Sequence, residues 1–225
     1  MGISRASQKR SVWRDNGLSI VLFTLFLLFW VGQALTGWYE ENHELQKHRH
    51  APVAFTDYLT SGSFVEVTAE NWESEFLQMG CFVVFTVFLF QRGSAESKSP
   101  DEPEEVSRKP GPSPHAPGPV KRGGVALVLY QNSLGLAFFL LFLLSFSLHA
   151  LGGAASYNEE QQLHGEYALS PIEYLSTSRF WFESFQNWQS EFLAIGSMVV
   201  LSIFLRQRGS PESKPVDAPH GETGK

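Results

Sequence analysis

The heptapeptide Asn-Trp-Glu-Ser-Glu-Phe-Leu at residues 71–77 returns 116 residues later as Asn-Trp-Gln-Ser-Glu-Phe-Leu at residues 187–193. Each copy precedes an apolar run that leads into Gln-Arg-Gly-Ser. Sliding the chain over itself by this interval aligns residues 16–98 with residues 132–214 without a gap. The alignment holds about 35 identities in about 83 positions, far above chance for any composition. The sequence therefore predicts a tandem duplication.

Each copy contains two apolar runs, residues 18–35 and 76–90 in the first and residues 134–151 and 192–205 in the second. A helix needs about 20 residues to cross a hydrocarbon core about 30 Å thick. The second run of each copy is shorter, so its helix must recruit the heptapeptide to span. We therefore predict an all-α membrane protein in which two helix, outer loop, helix units repeat with parallel topology. The four predicted transmembrane helices are residues 17–37, 73–91, 130–151 and 189–207.

The first apolar run also fits a signal peptide, because it follows a basic stretch at residues 1–15. Its counterpart at residues 134–151, however, lies in the chain interior, where no signal peptide could be. We therefore interpret the first run as a retained transmembrane helix.

Basic residues set the expected orientation. They concentrate in residues 1–15, in the linker at residues 93–124 and around the tail at residues 209–225, whereas the opposite loops are rich in acids. The positive-inside rule then places both termini and the linker in the cytoplasm. The repeat units are residues 16–92 and 125–208. The linker and tail are rich in proline and charge and lack apolar clusters, which predicts disorder.

Composition excludes several classes of function. The net charge of −6 is spread along the chain without a basic stripe, so nucleic-acid binding is not expected. The single cysteine, Cys81, excludes an intramolecular disulfide and any multi-cysteine metal site. The sequence has no phosphate-binding glycine loop, His-Glu-Xaa-Xaa-His, Gly-Xaa-Ser-Xaa-Gly or Cys-Xaa-Xaa-Cys motif. We therefore expect no enzymatic activity and no cofactor.

Four outer-loop residues, identical in the two copies, suggest a metal site. Glu44 and His48 stand four residues apart, as do Glu160 and His164, so each pair would share one face of a helix. If the units pair about a pseudo-twofold axis, two carboxylates and two imidazoles could bind a divalent metal. The alternative is an ordinary surface pair at i,i+4 spacing on a solvated helix.

The heptapeptides supply the other candidates, which are Asn71, Trp72 and Glu75 with their counterparts Asn187, Trp188 and Glu191. The asparagines fit helix N-caps and the tryptophans fit interfacial anchors. The two glutamates could be hydrated at the headgroup level or could line an ion or solute vestibule.

Two further polar or small positions fit helix packing. Gly80 and Gly196 are small residues that would allow close helix contacts. His149, at the position that corresponds to Gln33, is expected to make an interhelical hydrogen bond.

The duplicated heptapeptide, the Gln-Arg-Gly-Ser-Xaa-Glu-Ser-Lys segments that follow it and the Asp-Asn-Gly-Leu-Ser entry at residues 15–19 resemble a bacterial family of small multi-pass membrane proteins of unknown function. The resemblance implies the bacterial inner membrane and a lipid-bilayer environment, and it supplies no activity. The first functional hypothesis is a non-enzymatic structural or interaction protein, whose protein partner the sequence does not identify. The alternatives are a small channel or transporter with an acidic outer vestibule, which would require a homo-oligomer, and a periplasmic-face metal or pH sensor.

Overall fold

The computed structural model describes residues 11–164 and 166–224, without the side chains of Leu163 and His164. All regular elements in this part of the chain are helical, which confirms the predicted all-α class. The helices are α1 (Val12–Lys47), α2 (Phe55–Tyr58), α3 (Gly62–Phe88), α4 (Gly118–Arg122), α5 (Gly124–Gln131), α6 (Ser133–His164), α7 (Pro171–Tyr174) and α8 (Ser178–Phe204), with a 3-10 turn at Glu105–Ser107.

Two helices in the described ranges are long and apolar enough to cross a membrane, α1 and the Ser133–Gln162 part of α6. Their most apolar 18-residue windows have a mean hydropathy of 2.2, and only 6% and 17% of these windows are buried. A soluble core helix would be mostly buried, so these exposed apolar surfaces indicate a membrane location. A signal sequence could resemble α1 near the N-terminus, but not the internal α6.

The helices extend further into the outer loops than the apolar runs predict. Compared with the predicted spans 17–37 and 73–91, α1 continues to Lys47 and α3 already begins at Gly62. The separate loop helix is a single turn, α2. The polar parts of the long helices can therefore carry side chains that face other helices.

The prediction that Asn71 and Asn187 cap helices is wrong, because both lie inside α3 and α8. Their side-chain amides donate to the carbonyls four residues earlier, at Val67 and Glu183. The first turn of α8 is instead capped by the hydroxyl of Thr177, which accepts from the backbone N–H of Phe180. A short polar side chain caps a helix only from the position just before the first turn.

The chain divides into two compact units, Met1–Phe64 and Val65–Lys225, and each is described separately. In the first unit, Tyr58 packs with Ala34 and Phe64 in a small core. The Tyr58 hydroxyl lies over Gly37, where the helix has no side chain. The Asn42 side chain exchanges two hydrogen bonds with the backbone of Val53 and so ties the loop to α1.

The second unit repeats these contacts at positions 116 residues further on. Tyr174 packs with Ala150, Ala154 and Phe180, and its ring lies against Gly153. Asn158 ties the loop to α6 through two hydrogen bonds with the backbone of Leu169, at 2.7 and 2.8 Å. The loop of this unit is therefore anchored to its long helix.

Within the second unit, α6 also packs against α3. A Cβ atom added at Gly80 would lie 3.3 Å from Phe138, and one added at Gly135 would lie 3.4 Å from Val84. The predicted close helix contact is thus observed at Gly80. At Gly196 an added Cβ would meet nothing within 4 Å.

The start of the linker contacts α8 and the tail. Ser94 shares a hydrogen bond of 2.9 Å with Ser202. The buried ammonium group of Lys214 donates to four backbone carbonyls, at Gly93, Pro219, His220 and Glu222. These segments have defined contacts where a lysine satisfies the carbonyls. The linker also contains the 3-10 turn Glu105–Ser107 and helix α4 (Gly118–Arg122). Disorder elsewhere in the linker and tail stays a prediction.

Candidate functional site

His149 on α6 is the centre of a polar cluster inside the second unit. Its side chain is 0% exposed and stacks on the ring of Phe180, with ring centroids 4.5 Å apart. Nδ1 lies 2.8 Å from a carboxylate oxygen of Glu73 on α3. Nε2 lies 3.4 Å from Glu183 on α8 and 4.0 Å from Glu70 on α3. The expected interhelical hydrogen bond of His149 is confirmed, and it joins a larger network.

Glu73 is also completely buried, and both of its oxygens are used. One oxygen faces Nδ1 of His149, and the other accepts a hydrogen bond of 3.0 Å from the indole N–H of Trp188. A carboxylate on one ring nitrogen of a histidine fixes the ring orientation and favours a proton on that nitrogen. The Nε2 atom is thereby directed at Glu70 and Glu183.

A second centre is Arg179, in the first turn of α8. Its guanidinium donates to Glu183 at 3.0 Å and to Glu160 at 2.6 Å, and it lies 3.9 Å from Glu66. The Tyr174 hydroxyl lies 3.1 Å from Glu66 and 3.0 Å from Glu183. The single-turn helix α7, which contains Tyr174, therefore contacts the network from the segment between α6 and α8.

These contacts define one assembly, called here the buried charge cluster. Its members are Glu66, Glu70, Glu73, His149, Tyr174, Arg179 and Glu183.

The surroundings perturb the acids of the cluster that lie outside the predicted spans. Burial raises the pKa of Glu70 to about 7; the nearby His149 lowers it, and the charges of Glu183 and Glu66 add to the increase. Burial likewise raises the pKa of Glu66. At Glu183 burial acts to raise the pKa, but hydrogen bonds from His149, Arg179 and Tyr174 together lower it. The cluster therefore raises the pKa of Glu66 and Glu70 and lowers that of Glu183.

The buried charge cluster contains more carboxyl groups than permanent cations, although neighbouring residues also donate to it: Ser156 to Glu66, Asn187 to Glu70 and Trp188 to Glu73. The Tyr174 hydroxyl carries one hydrogen but faces two carboxylates at nearly equal distances. Four carboxylates share one permanent cation, Arg179, whose hydrogen bonds also extend to Glu160. Buried carboxylates are costly unless they are paired or protonated. The arrangement can thus accept a further positive charge.

The sequence prediction missed most of this cluster, because it selected residues identical in the two copies. The members other than Tyr174 are charged or ionisable, whereas the positions 116 residues away are neutral: Gln33 for His149, Gln186 for Glu70, Gln189 for Glu73, Val67 for Glu183, Ser63 for Arg179 and Phe182 for Glu66. Glu66, Glu70 and Glu73 are also spaced as one face of a helix. The charge differences between corresponding positions and the helical spacing of the three glutamates were both visible in the sequence.

The predicted outer-loop metal residues have other partners. Glu44 pairs with Lys47 at 2.5 Å. Glu160 pairs with Arg179. His48 follows the last residue of α1, and the side chain of His164 lies outside the described residues. Metal binding by this set stays a prediction.

The structure places the tryptophans and glutamates of the predicted vestibule in different surroundings. Trp188 belongs beside the buried charge cluster as a donor to Glu73. The carboxyl groups of Glu75 and Glu191 interact directly, so these two residues, which correspond in the two copies, meet within the second unit. Trp72 is half-buried.

Comparison with known proteins identifies a family and no activity. A family model described as "Domain of unknown function (DUF6766)" matches residues 9–225. No curated protein matches the chain, and no solved structure does.

Proposed function

The chain belongs to this DUF6766 family, and we propose that it is a non-enzymatic, multi-pass membrane protein of the bacterial inner membrane whose helix packing responds to a bound cation. The observation that carries the proposal is the excess of carboxylates in the buried charge cluster. Four glutamates from α3 and α8 surround His149 and a single arginine. Glu73 and His149 lie within predicted spans, where buried ionisable side chains are costly to retain, which favours a functional role.

A cation would act on helix packing because the carboxylates come from different elements. Glu70 and Glu73 lie on α3 and Glu183 on α8, while His149 lies on α6. Neutralising their mutual repulsion stabilises the arrangement in which these helices meet. The segment at residues 166–177 is tied to the same arrangement through Tyr174. Cation occupancy would thus be communicated to the outward face.

Replacing Glu70 with Gln, the residue at position 186, tests the charge excess. We expect Glu70→Gln to unfold at a temperature about 2–4 °C higher than the wild type in cation-depleted buffer, about 1 kcal/mol for a chain of this size. The variant should also respond less to added cations, since part of the excess is already removed. Thermal unfolding of the full chain in detergent, with separate Mg²⁺, Zn²⁺ and pH series, measures both effects.

The control for this measurement is Glu159→Gln on the exposed face of α6, which should behave like the wild type. A balanced, purely structural ion network predicts the opposite sign for Glu70→Gln, namely a lower unfolding temperature. That result, together with no cation response in the wild type, would contradict the proposed function.

Four membrane spans with cytoplasmic termini form part of the proposal. Besides α1 and α6, the helices α3 and α8 each contain 27 residues, about 40 Å of helix, with apolar C-terminal halves. The bounds of α3 and α8 differ by the same 116 residues as the two heptapeptides, which supports the proposed duplication. The five Lys and Arg residues of the linker at residues 93–124 favour a cytoplasmic location for it.

Cysteine labelling distinguishes four spans from two. All labelling variants carry Cys81→Ser, because serine is the residue at the corresponding position 197. In three separate variants, a single cysteine then replaces Asp57, Ser113 or Ile172, each of which is exposed. In spheroplasts we expect an impermeant maleimide to label positions 57 and 172 and to reach position 113 only after permeabilisation. If α3 does not cross the bilayer, positions 57 and 113 will instead label together.

A second candidate function, a small transporter or channel, is favoured by the meeting of Glu75 and Glu191. Adjacent carboxylates at the end of a transmembrane segment suit an ion pathway. Cation flux into proteoliposomes that is lost in the Glu75→Gln, Glu191→Gln double variant would support transport. Absence of flux for every tested ion would leave the cation-responsive interaction protein.

A further inference from the structure

We propose that Glu70, His149 and Glu183 bind a divalent transition-metal ion of the Zn²⁺ class. The inference rests on the proposed cation response and names its ligand. Nε2 of His149 and the two carboxylates offer one nitrogen and two oxygen donors, and these ligand atoms all lie within 4.8 Å of one another. One imidazole with two carboxylates is a donor set that zinc, manganese and ferrous iron accept.

The distances suit an ion at the centre of the three donors. Ligand bonds of about 2.0–2.2 Å place donors of a tetrahedral ion about 3.4 Å apart. Nε2 lies 3.4 Å from Glu183 and 4.0 Å from Glu70. The Glu70 side chain is 17% exposed, so a small rotation can bring its carboxylate closer.

Glu73 prepares His149 for a metal. Metal-binding histidines generally donate the other ring N–H to a carboxylate or carbonyl, which orients the ring and fixes the tautomer. The 2.8 Å contact between Nδ1 and Glu73 has this form, and Trp188 in turn holds the second oxygen of Glu73. The completely buried imidazole therefore directs Nε2 at the two ligand carboxylates.

The neighbouring charges are compatible with a divalent ion. Arg179 donates to the Oε1 atom of Glu183, whereas the Oε2 atom of Glu183 faces His149. The guanidinium can therefore stay in place while Oε2 binds the metal. Tyr174, which shares its single hydrogen between Glu66 and Glu183, can donate fully to Glu66 when Glu183 is engaged. A divalent ion also offsets the carboxylate excess better than a single proton does.

Metal uptake by the full chain tests the inference. The protein is purified in detergent, stripped with EDTA and titrated with ZnCl₂ by calorimetry. The visible absorption of added Co²⁺ serves as a second readout of nitrogen and oxygen ligation. We expect one high-affinity Zn²⁺ per chain, with affinity falling at least 100-fold in His149→Gln and at least 10-fold in Glu70→Gln. Glu73→Gln, which alters the orienting carboxylate, should weaken binding about 10–100-fold.

The matched control is the double variant His48→Gln, His164→Gln, which removes the imidazoles of the outer-loop set and leaves the buried charge cluster intact. It should bind Zn²⁺ as the wild type does. If His149→Gln misfolds, Zn²⁺ binding by Glu70→Gln tests the site instead. This variant is expected to fold, because the Glu70 side chain is partly exposed and glutamine is the residue at the corresponding position 186. Wild-type protein that takes up no Zn²⁺, or undiminished binding in the folded cluster variants, would overturn the metal site.

The outcomes separate this inference from the proposed function. A wild-type unfolding temperature that rises with acidity or Mg²⁺ but not with Zn²⁺ removes the metal site and keeps the cation response. Zn²⁺ binding lost only in the outer-loop double variant moves the metal to that set and contradicts the inference. A protein that responds to no cation removes both proposals.

Discussion

Replacing Arg179 with Ser, the residue at position 63, is expected to lower the free energy of unfolding by about 2–3 kcal/mol. The guanidinium is the only permanent cation of the buried charge cluster, and its loss leaves Glu66 without a basic partner and Glu183 with His149 alone. Removing one partner of a buried ion pair costs about 3–5 kcal/mol. The lower figure applies because the Arg179 side chain is 36% exposed, so water screens part of the effect. Thermal unfolding in detergent should show a decrease of several degrees.

The paired change Arg179→Ser, Glu183→Val tests whether repulsion is the cause. It reproduces the neutral residues Ser63 and Val67 of the other copy. The double variant should be more stable than Arg179→Ser alone, with a coupling energy of about 1 kcal/mol or more, because the stranded carboxylate is gone. Arg179→Lys, which keeps the charge without the planar fork, should lie between. Equal destabilisation of the single and double variants would assign the effect of Arg179 to packing alone.

The long apolar runs of the sequence predicted α1 and α6, because such runs without charges have few other stable structures. It did not predict where α3 begins. The first turns of that helix contain Glu66 and Glu70. A charged residue that is considered singly, beside an apolar run, is more readily assigned to a loop than to a helix. Only the tertiary contacts, to His149 and Tyr174, make a buried helix of this polar stretch.

The candidate site was missed for a related reason. Identity between the two copies selects the residues that both need, such as Tyr58 and Tyr174, or Asn42 and Asn158, and these hold the loops to the long helices. A site that is present only once in the chain needs residues that occur in one copy and are replaced by other residues in the second copy. His149 with its counterpart Gln33 is such a position. Where two stretches of a chain correspond in sequence, a difference in charge at helical spacing is therefore the more useful signal for a site.

Gly153→Ala is expected to destabilise the second unit by up to about 2 kcal/mol. The added Cβ would lie 2.5 Å from the Tyr174 ring and 2.8 Å from its hydroxyl oxygen. Such a separation is too short, so one group must move. Tyr174 is 0% exposed, packs edge-on against Phe180 and is held by hydrogen bonds to Glu66 and Glu183. Overpacking costs about 1–3 kcal/mol, while the gain in helix propensity from Gly to Ala returns about 1 kcal/mol.

Because Tyr174 is also a member of the buried charge cluster, this substitution should act on the cation response as well as on stability. Displacing the ring withdraws its hydroxyl from Glu66 and Glu183, so Gly153→Ala should alter the dependence of the unfolding temperature on added cations. The control is Gly196→Ala in α8, where an added Cβ meets nothing within 4 Å and a gain of up to about 1 kcal/mol is expected. A loss at Gly196 would place that glycine against another chain. An unchanged stability for Gly153→Ala would show that Tyr174 is free to move, and the loop would then not be coupled to the cluster through its hydroxyl.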